Sequence, residues 1–184
     1  MDFKTHIEGA WKLTLEFIAP LILMTLVVGV VSFLTLGILA PVTMAGYFHS
    51  ILRMFRERRE PKVQDVFSQM RFFFPLLGFG VLVVIAVMIG FMLLFLPGFV
   101  IAVGVSYVCL YMLLLMTDKD MGLVEAIKQS YAMTVKGDLA DQIVVFVIFM
   151  GLSVIGSSVF IGWLFTQPLA TVFLVSVYEE IKRT

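Results

Sequence analysis

The charged positions of this chain fall into four short stretches, residues 2–16, 53–71, 118–141 and 179–183, and the three intervals between them carry no charge at all. Those intervals, 17–52, 72–117 and 142–178, are 36, 46 and 37 residues long. A helix rises about 1.5 Å per residue and a bilayer core is about 30 Å thick, so one crossing takes roughly 20 residues. Each interval is too long for one crossing and close to two. Each also holds a breaker near its middle: Gly37 and Pro41, Pro97-Gly98, and Gln167-Pro168. Proline costs nothing at the first helical position, where the amide is unpaired in any case. The pattern therefore predicts three helical hairpins, hence an all-α integral membrane protein of six transmembrane helices, with every charged stretch on one face.

The charged stretches read as amphipathic helices at 3–16, 62–71 and 121–136. Phe3, Ile7, Trp11, Leu15 and Ile18 recur at helical spacing, while Lys4, Glu8, Lys12 and Glu16 recur every four residues on another face. Val63, Val66, Phe67 and Met70 repeat the logic after Pro61, as do Val124, Ile127, Tyr131 and Val135 after Asp120. Such helices are expected along the cytoplasmic interface, where lysine stems and Trp11 straddle the headgroups. Amphipathic segment, first leg, proline turn and second leg recur three times, with Glu8, Asp65 and Glu125 heading the units. The pattern suggests a threefold internal repeat, with an insertion in the third unit around Lys136-Gly137-Asp138.

The legs differ in polarity. First legs carry small residues such as Gly78, Gly90, Gly151, Gly156 and Ser157, which permit close backbone approach in lipid. Second legs carry hydrogen-bonding groups, and Tyr47, His49, Ser50, Ser106, Tyr107, Ser176 and Tyr178 are the candidates for a polar interior. His49 is the one nitrogen base within a span, and it reads either as a hydrogen-bonded packing residue or as part of a polar cavity or gate.

Composition agrees: 61% of the 184 residues are hydrophobic and the mean hydropathy is +1.06, far above a soluble domain. A single membrane domain over 1–184 is expected. Net charge is zero, but Arg53, Arg56, Arg58, Arg59, Lys62 and Arg71 outnumber Glu57, Glu60 and Asp65 in the first loop. Basic residues in short loops mark the cytoplasmic side, which places both termini there too. Arg56, Arg58, Arg59 and Lys62 read either as this topology signal or as contacts to anionic lipid headgroups. Nucleic-acid binding is not expected, because Phe55 alone interleaves the run as a stacking platform. Cys109 is the sole cysteine, so no intramolecular disulfide can form. The charged residues 2–16 do not read as a cleavable signal.

No catalytic constellation stands out. Neither His6 nor His49 has an acid or thiol at motif spacing, no phosphate-binding glycine loop, clustered metal ligands or serine elbow is present, and the spans contain no carboxylate. No cofactor or metal is expected. Leu96-Pro97-Gly98, then Asp120 and Glu125-Ala126-Ile127-Lys128-Gln129-Ser130, with Lys136-Gly137-Asp138 beyond, resembles uncharacterised bacterial six-helix membrane families related to the membrane domain of glycerophosphoryl diester phosphodiesterases. The resemblance implies a bacterial inner-membrane location; the phosphodiesterase domain itself is not in this chain. The expectation is a non-enzymatic scaffold or lipid-interacting protein that self-associates as a homo-oligomer. The alternative is a small-molecule or ion transporter or channel, its conduit lined by the second legs.

Overall fold

The computed structural model describes residues 3–93, 95–135, 138–157 and 160–183. It is 88% helix, with no strand among the described residues. In chain order the helices are α1 (Phe3–Glu16), α2 (Ile18–Leu34), α3 (Ala40–Glu57), α4 (Phe73–Leu93), α5 (Phe95–Val108), α6 (Met112–Lys119), α7 (Leu123–Val135), α8 (Leu139–Ser157) and α9 (Phe160–Arg183). Two short 3-10 turns, Val63–Phe67 and Met70–Phe72, lie between α3 and α4. Three segments, Val63–Leu93, Phe95–Lys119 and Leu139–Gly156, are long and apolar enough to cross a membrane. A fourth joins them if α1 and α2, which meet at 88°, form one bent span.

The core is built from α3, α6 and the C-terminal half of α9. Tyr47, Ile51, Leu52 and Met54 from α3 meet Leu114 and Leu115 from α6 and Phe173 and Tyr178 from α9, all essentially without exposure. Residues 170–179 are buried on every side, as expected for a helix at the middle of a bundle. Helix α8 packs along α9, α2 along both α3 and α9, and α4 along α5. Helices α4 and α5 pass close together at two glycines, where a Cβ on Gly90 would lie 2.8 Å from the Gly98 Cα. Most of the remaining surface of α4 is apolar and uncovered.

The first breaker acts as expected. Leu36 and Gly37 adopt positive φ between α2 and α3, and Pro41 sits in the first turn of α3. The third does not: α8 ends at Ser157, α9 begins at Phe160, and Pro168 lies inside α9. A proline in a membrane helix withdraws one amide from the ladder, and packed neighbours compensate for it. Residues 160–165, expected to close a first leg, belong instead to α9.

The amphipathic stretches also differ in detail. On α1 the face against the bundle is Phe3, His6, Ala10 and Leu13, continued by Phe17 just beyond its end, whereas Ile7, Trp11 and Leu15 form a second apolar stripe that stays exposed. Residues 62–71 form 3-10 turns rather than an α-helix, with Val66 fully buried against α3. Helix α7 buries Ala126, Ser130 and Thr134, the small side of the segment, and exposes Val124 and Tyr131. The expected end of that segment, Lys136, and Gly137 beyond it lie outside the described residues, as does the side chain of Ser157.

Candidate functional site

Helices α3, α6 and α9 all run past their apolar stretches, so each carries charged residues on its final turn. Arg56 therefore stands on helix α3 and not in a loop. It forks between two carboxylates: its Nη1 and Nη2 donate to Asp118 of α6, the latter over 2.9 Å, and its Nε donates to Glu179 of α9 over 2.8 Å. Asp118 also accepts from the Tyr178 hydroxyl at 2.9 Å and from Lys182 Nζ at 3.0 Å. Its side chain is only 5% exposed, and the two cations and two anions of the cluster balance. The Asp118 hydrogen bond is the leading reason that the Arg56 pKa rises above the usual arginine value, so the cation persists at any physiological pH. The planar guanidinium fork suits such a bidentate tie better than a lysine would.

Beneath this clasp several polar groups satisfy one another, while the Thr14 hydroxyl and His49 Nδ1 are buried without a partner among the described residues. The Tyr111 and Tyr178 rings lie 6.1 Å apart, and the Tyr111 hydroxyl donates to Gln142 of α8 over 2.8 Å. The Thr25 hydroxyl donates to the Leu21 carbonyl, leaving its oxygen to accept from the Tyr47 hydroxyl at 3.0 Å. Ser50 donates to Asp65, which also takes Arg59 and the Lys62 amide. Between α5 and α6 the helix breaks at 109–111. There Ser130 of α7 donates to the Val108 carbonyl at 2.5 Å and accepts the Tyr111 amide at 3.2 Å. Irregular backbone at membrane depth is tolerable only when its polar groups are met in this way.

Among the candidates for a polar interior, Tyr47, Ser50, Ser176 and Tyr178 are buried. Tyr107 is partly buried and donates to the Thr134 carbonyl at 2.7 Å, its ring edge-on to Phe146. His49 is half-buried on α3, with Nδ1 buried and without a partner among the described residues. Ser106 sits on the exposed side of α5, its hydroxyl turned back onto the Ala102 carbonyl. The seven do not share one cavity. Of the four basic candidates, Arg56 joins the clasp, Arg58 pairs with Glu16 at 2.8 Å, Arg59 pairs with Asp65, and Lys62 is exposed.

Sequence reasoning missed Asp118, Gln142 and Ser130 as site residues, and it left Tyr111, among the hydrogen-bonding groups of the second legs, and Glu179, at the charged end of one, without a named partner. Asp118 and Glu179 did carry a signal, since each directly follows a charge-free run and so continues a helix. The pairing of Ser130 with a helix break has no counterpart in periodicity. Among the described residues, no three of His, Cys, Asp and Glu are grouped to hold a metal ion. Cys109 lies half-buried at the break.

Comparison with protein-family models, curated proteins and solved structures gave no match. The likeness to the membrane domain of glycerophosphoryl diester phosphodiesterases is thus neither supported nor refuted, and it assigns this chain no function.

Proposed function

We propose that this chain is a non-enzymatic membrane scaffold that lies in a bacterial inner membrane and interacts with its lipids. In this reading α2, α3, α4, α5–α6, α8 and α9 are six spans in three hairpins. Three units each contribute an interfacial element, a first leg and a second leg, and both termini are cytoplasmic. The observation that carries the reading is the filled centre, where Tyr47, Tyr111, Tyr178 and Phe173 pack with less than 2% exposure and the Arg56–Asp118–Glu179 clasp closes one end. A transporter needs alternating access or a wet path, and the outward placement of Ser106 withholds one wall of the expected conduit. The pairing of Arg56, Arg58 and Arg59 with carboxylates favours a topology role for the basic run over a strong anionic-lipid site. Self-association would use the uncovered apolar surface of α4, where a Cβ at Gly78 meets nothing within 4 Å.

Reconstitution into dye-loaded liposomes tests the reading. Ion and small-solute leakage at the rate of protein-free liposomes is expected, with a single particle mass larger than the protomer by light scattering. Protein-dependent flux would replace the scaffold with the transporter.

A further inference from the structure

The charged stretch 53–71 is almost wholly paired. Arg53 pairs with Glu57, Arg56 with Asp118 and Glu179, Arg58 with Glu16, Arg59 with Asp65, and Arg71 with Asp120. Glu60 and Lys62 are the exceptions. Among the described residues neither forms an ion pair, with the other or with any third group.

Both line one open cleft of about 460 Å³, between the start of α2 and residues 60–64, whose apolar wall is Pro20, Leu23 and Val63. Lys62 has extended backbone, φ −118° and ψ 142°, and Pro61 before it is buried while Glu60 and Lys62 are exposed. That is the alternation of an extended chain, in which side chains two apart project to the same side. The segment is also held from behind. The Asp65 carboxylate accepts the Lys62 amide at 3.2 Å and takes Ser50 of α3 and Arg59 as well, and the 3-10 turn that follows rests on Gly46 of α3. The backbone that bears the two unpaired charges is thus fixed before any ligand arrives, which lowers the cost of binding.

The cleft changes character along its wall. Helix α2 begins at Ile18 and carries no charge, so in the six-span reading Pro20 and Leu23, the latter 50% exposed, lie where the chain enters hydrocarbon. Charged groups of both signs therefore share a cleft with the first apolar turns of a span, an arrangement that matches an amphiphile.

We propose that this cleft seats the headgroup of a zwitterionic phospholipid bearing a primary ammonium, with the phosphate on Lys62, the ammonium on Glu60 and the glycerol end against Pro20 and Leu23. Charge complementarity chooses the occupant. An anionic headgroup would satisfy Lys62 and set a second negative charge beside Glu60, whereas a lone cation would leave Lys62 unmet. Two residues of extended chain span about 7 Å, a spacing that lets one headgroup touch both side chains. No ion pair within the protein has to break for it to enter. The site rests on the lipid-interacting reading of the chain.

The test is a titration of the purified full chain in detergent, read by native mass spectrometry, with short-chain phosphatidylethanolamine, short-chain phosphatidylglycerol and soluble phosphoethanolamine. Phosphatidylethanolamine is expected to bind about fivefold tighter than phosphatidylglycerol, the factor that one charge contact at a membrane surface is worth. Glu60→Gln is expected to erase that preference, and Lys62→Gln to weaken both lipids by about the same factor. Lys4→Gln, which removes the same charge from the exposed side of α1, should change neither. Soluble phosphoethanolamine should bind about tenfold or more weakly than the lipid, for want of contact with Pro20 and Leu23. Equal binding of the two lipids, a preference that survives Glu60→Gln, or a loss as large in Lys4→Gln as in Lys62→Gln would overturn the site. Phosphoethanolamine binding as tight as the lipid's would overturn the lipid as its occupant. Lipids retained without preference sink this site alone, whereas retention of neither lipid sinks the lipid-interacting reading with it.

Discussion

A methyl group at Gly46 would sit 2.1 Å from the Val66 carbonyl oxygen, because the backbone of the first 3-10 turn rests directly on α3 there. Gly46→Ala must therefore push that turn away, taking with it the Asp65 carboxylate that receives Ser50 and Arg59. Overpacking of this kind costs about 1–3 kcal/mol, and a matching fall in thermal stability in detergent is expected. Gly104→Ala on the exposed side of α5, which meets nothing, should not lower the melting temperature. The charged pairs should separate just as clearly. Asp118→Asn disturbs a side chain that is 5% exposed and accepts from three partners, so a loss of about 1.5–3 kcal/mol is expected. Asp120→Asn removes a pair with Arg71 in which both side chains are at least half exposed. Its cost should stay below about 1 kcal/mol and shrink further in salt. Equal losses for the two aspartates would contradict the clasp.

Element by element, what could be read in advance was whatever depends on composition over many residues. The charge-free intervals located the apolar helices, and Pro41 marked the start of α3 because proline belongs to a first helical turn. Pro168 misled for the complementary reason: the packing of α9 against α8, α1, α3 and α2 outweighs the lost amide, so α9 continues through it. The stripe Ile7, Trp11 and Leu15 was recognised, yet the side of α1 that packs is the one bearing Ala10 and Leu13, since a small residue allows closer approach. The break at 109–111 was invisible because its cause lies nineteen residues on, at Ser130. Ser130→Ala would orphan the Val108 carbonyl and the Tyr111 amide together, at about 1–3 kcal/mol for each buried group left unmet. Faster amide hydrogen exchange at Tyr111 is the expected signature, with α8 and α9 unaffected. Unchanged exchange would mean that the break is held by packing alone.

For the whole molecule, the central claim is that the chain crosses the bilayer six times, so that α3, α6 and α9 meet at their charged ends on the cytoplasmic side. Long-range ties such as Arg56 to Glu179 and Tyr178 to Asp118 have no trace in local periodicity, because residues 60 or more apart are joined. What local pattern supplies is an expectation of the side on which those ends lie, from the excess of basic residues in the stretch 53–71. Cysteine accessibility in intact cells tests this directly, in a Cys109→Ser background that removes the sole native thiol. Single cysteines at Leu36, between α2 and α3, and at Phe95, at the start of α5, are both highly exposed positions on the predicted far side. Lys4 and Lys119 lie on the predicted cytoplasmic side. A membrane-impermeant maleimide is expected to label Leu36→Cys and Phe95→Cys from outside, and Lys4→Cys and Lys119→Cys only after permeabilisation. Labelling of all four only after permeabilisation, or of Lys4→Cys together with Leu36→Cys from outside, would contradict the six-span account.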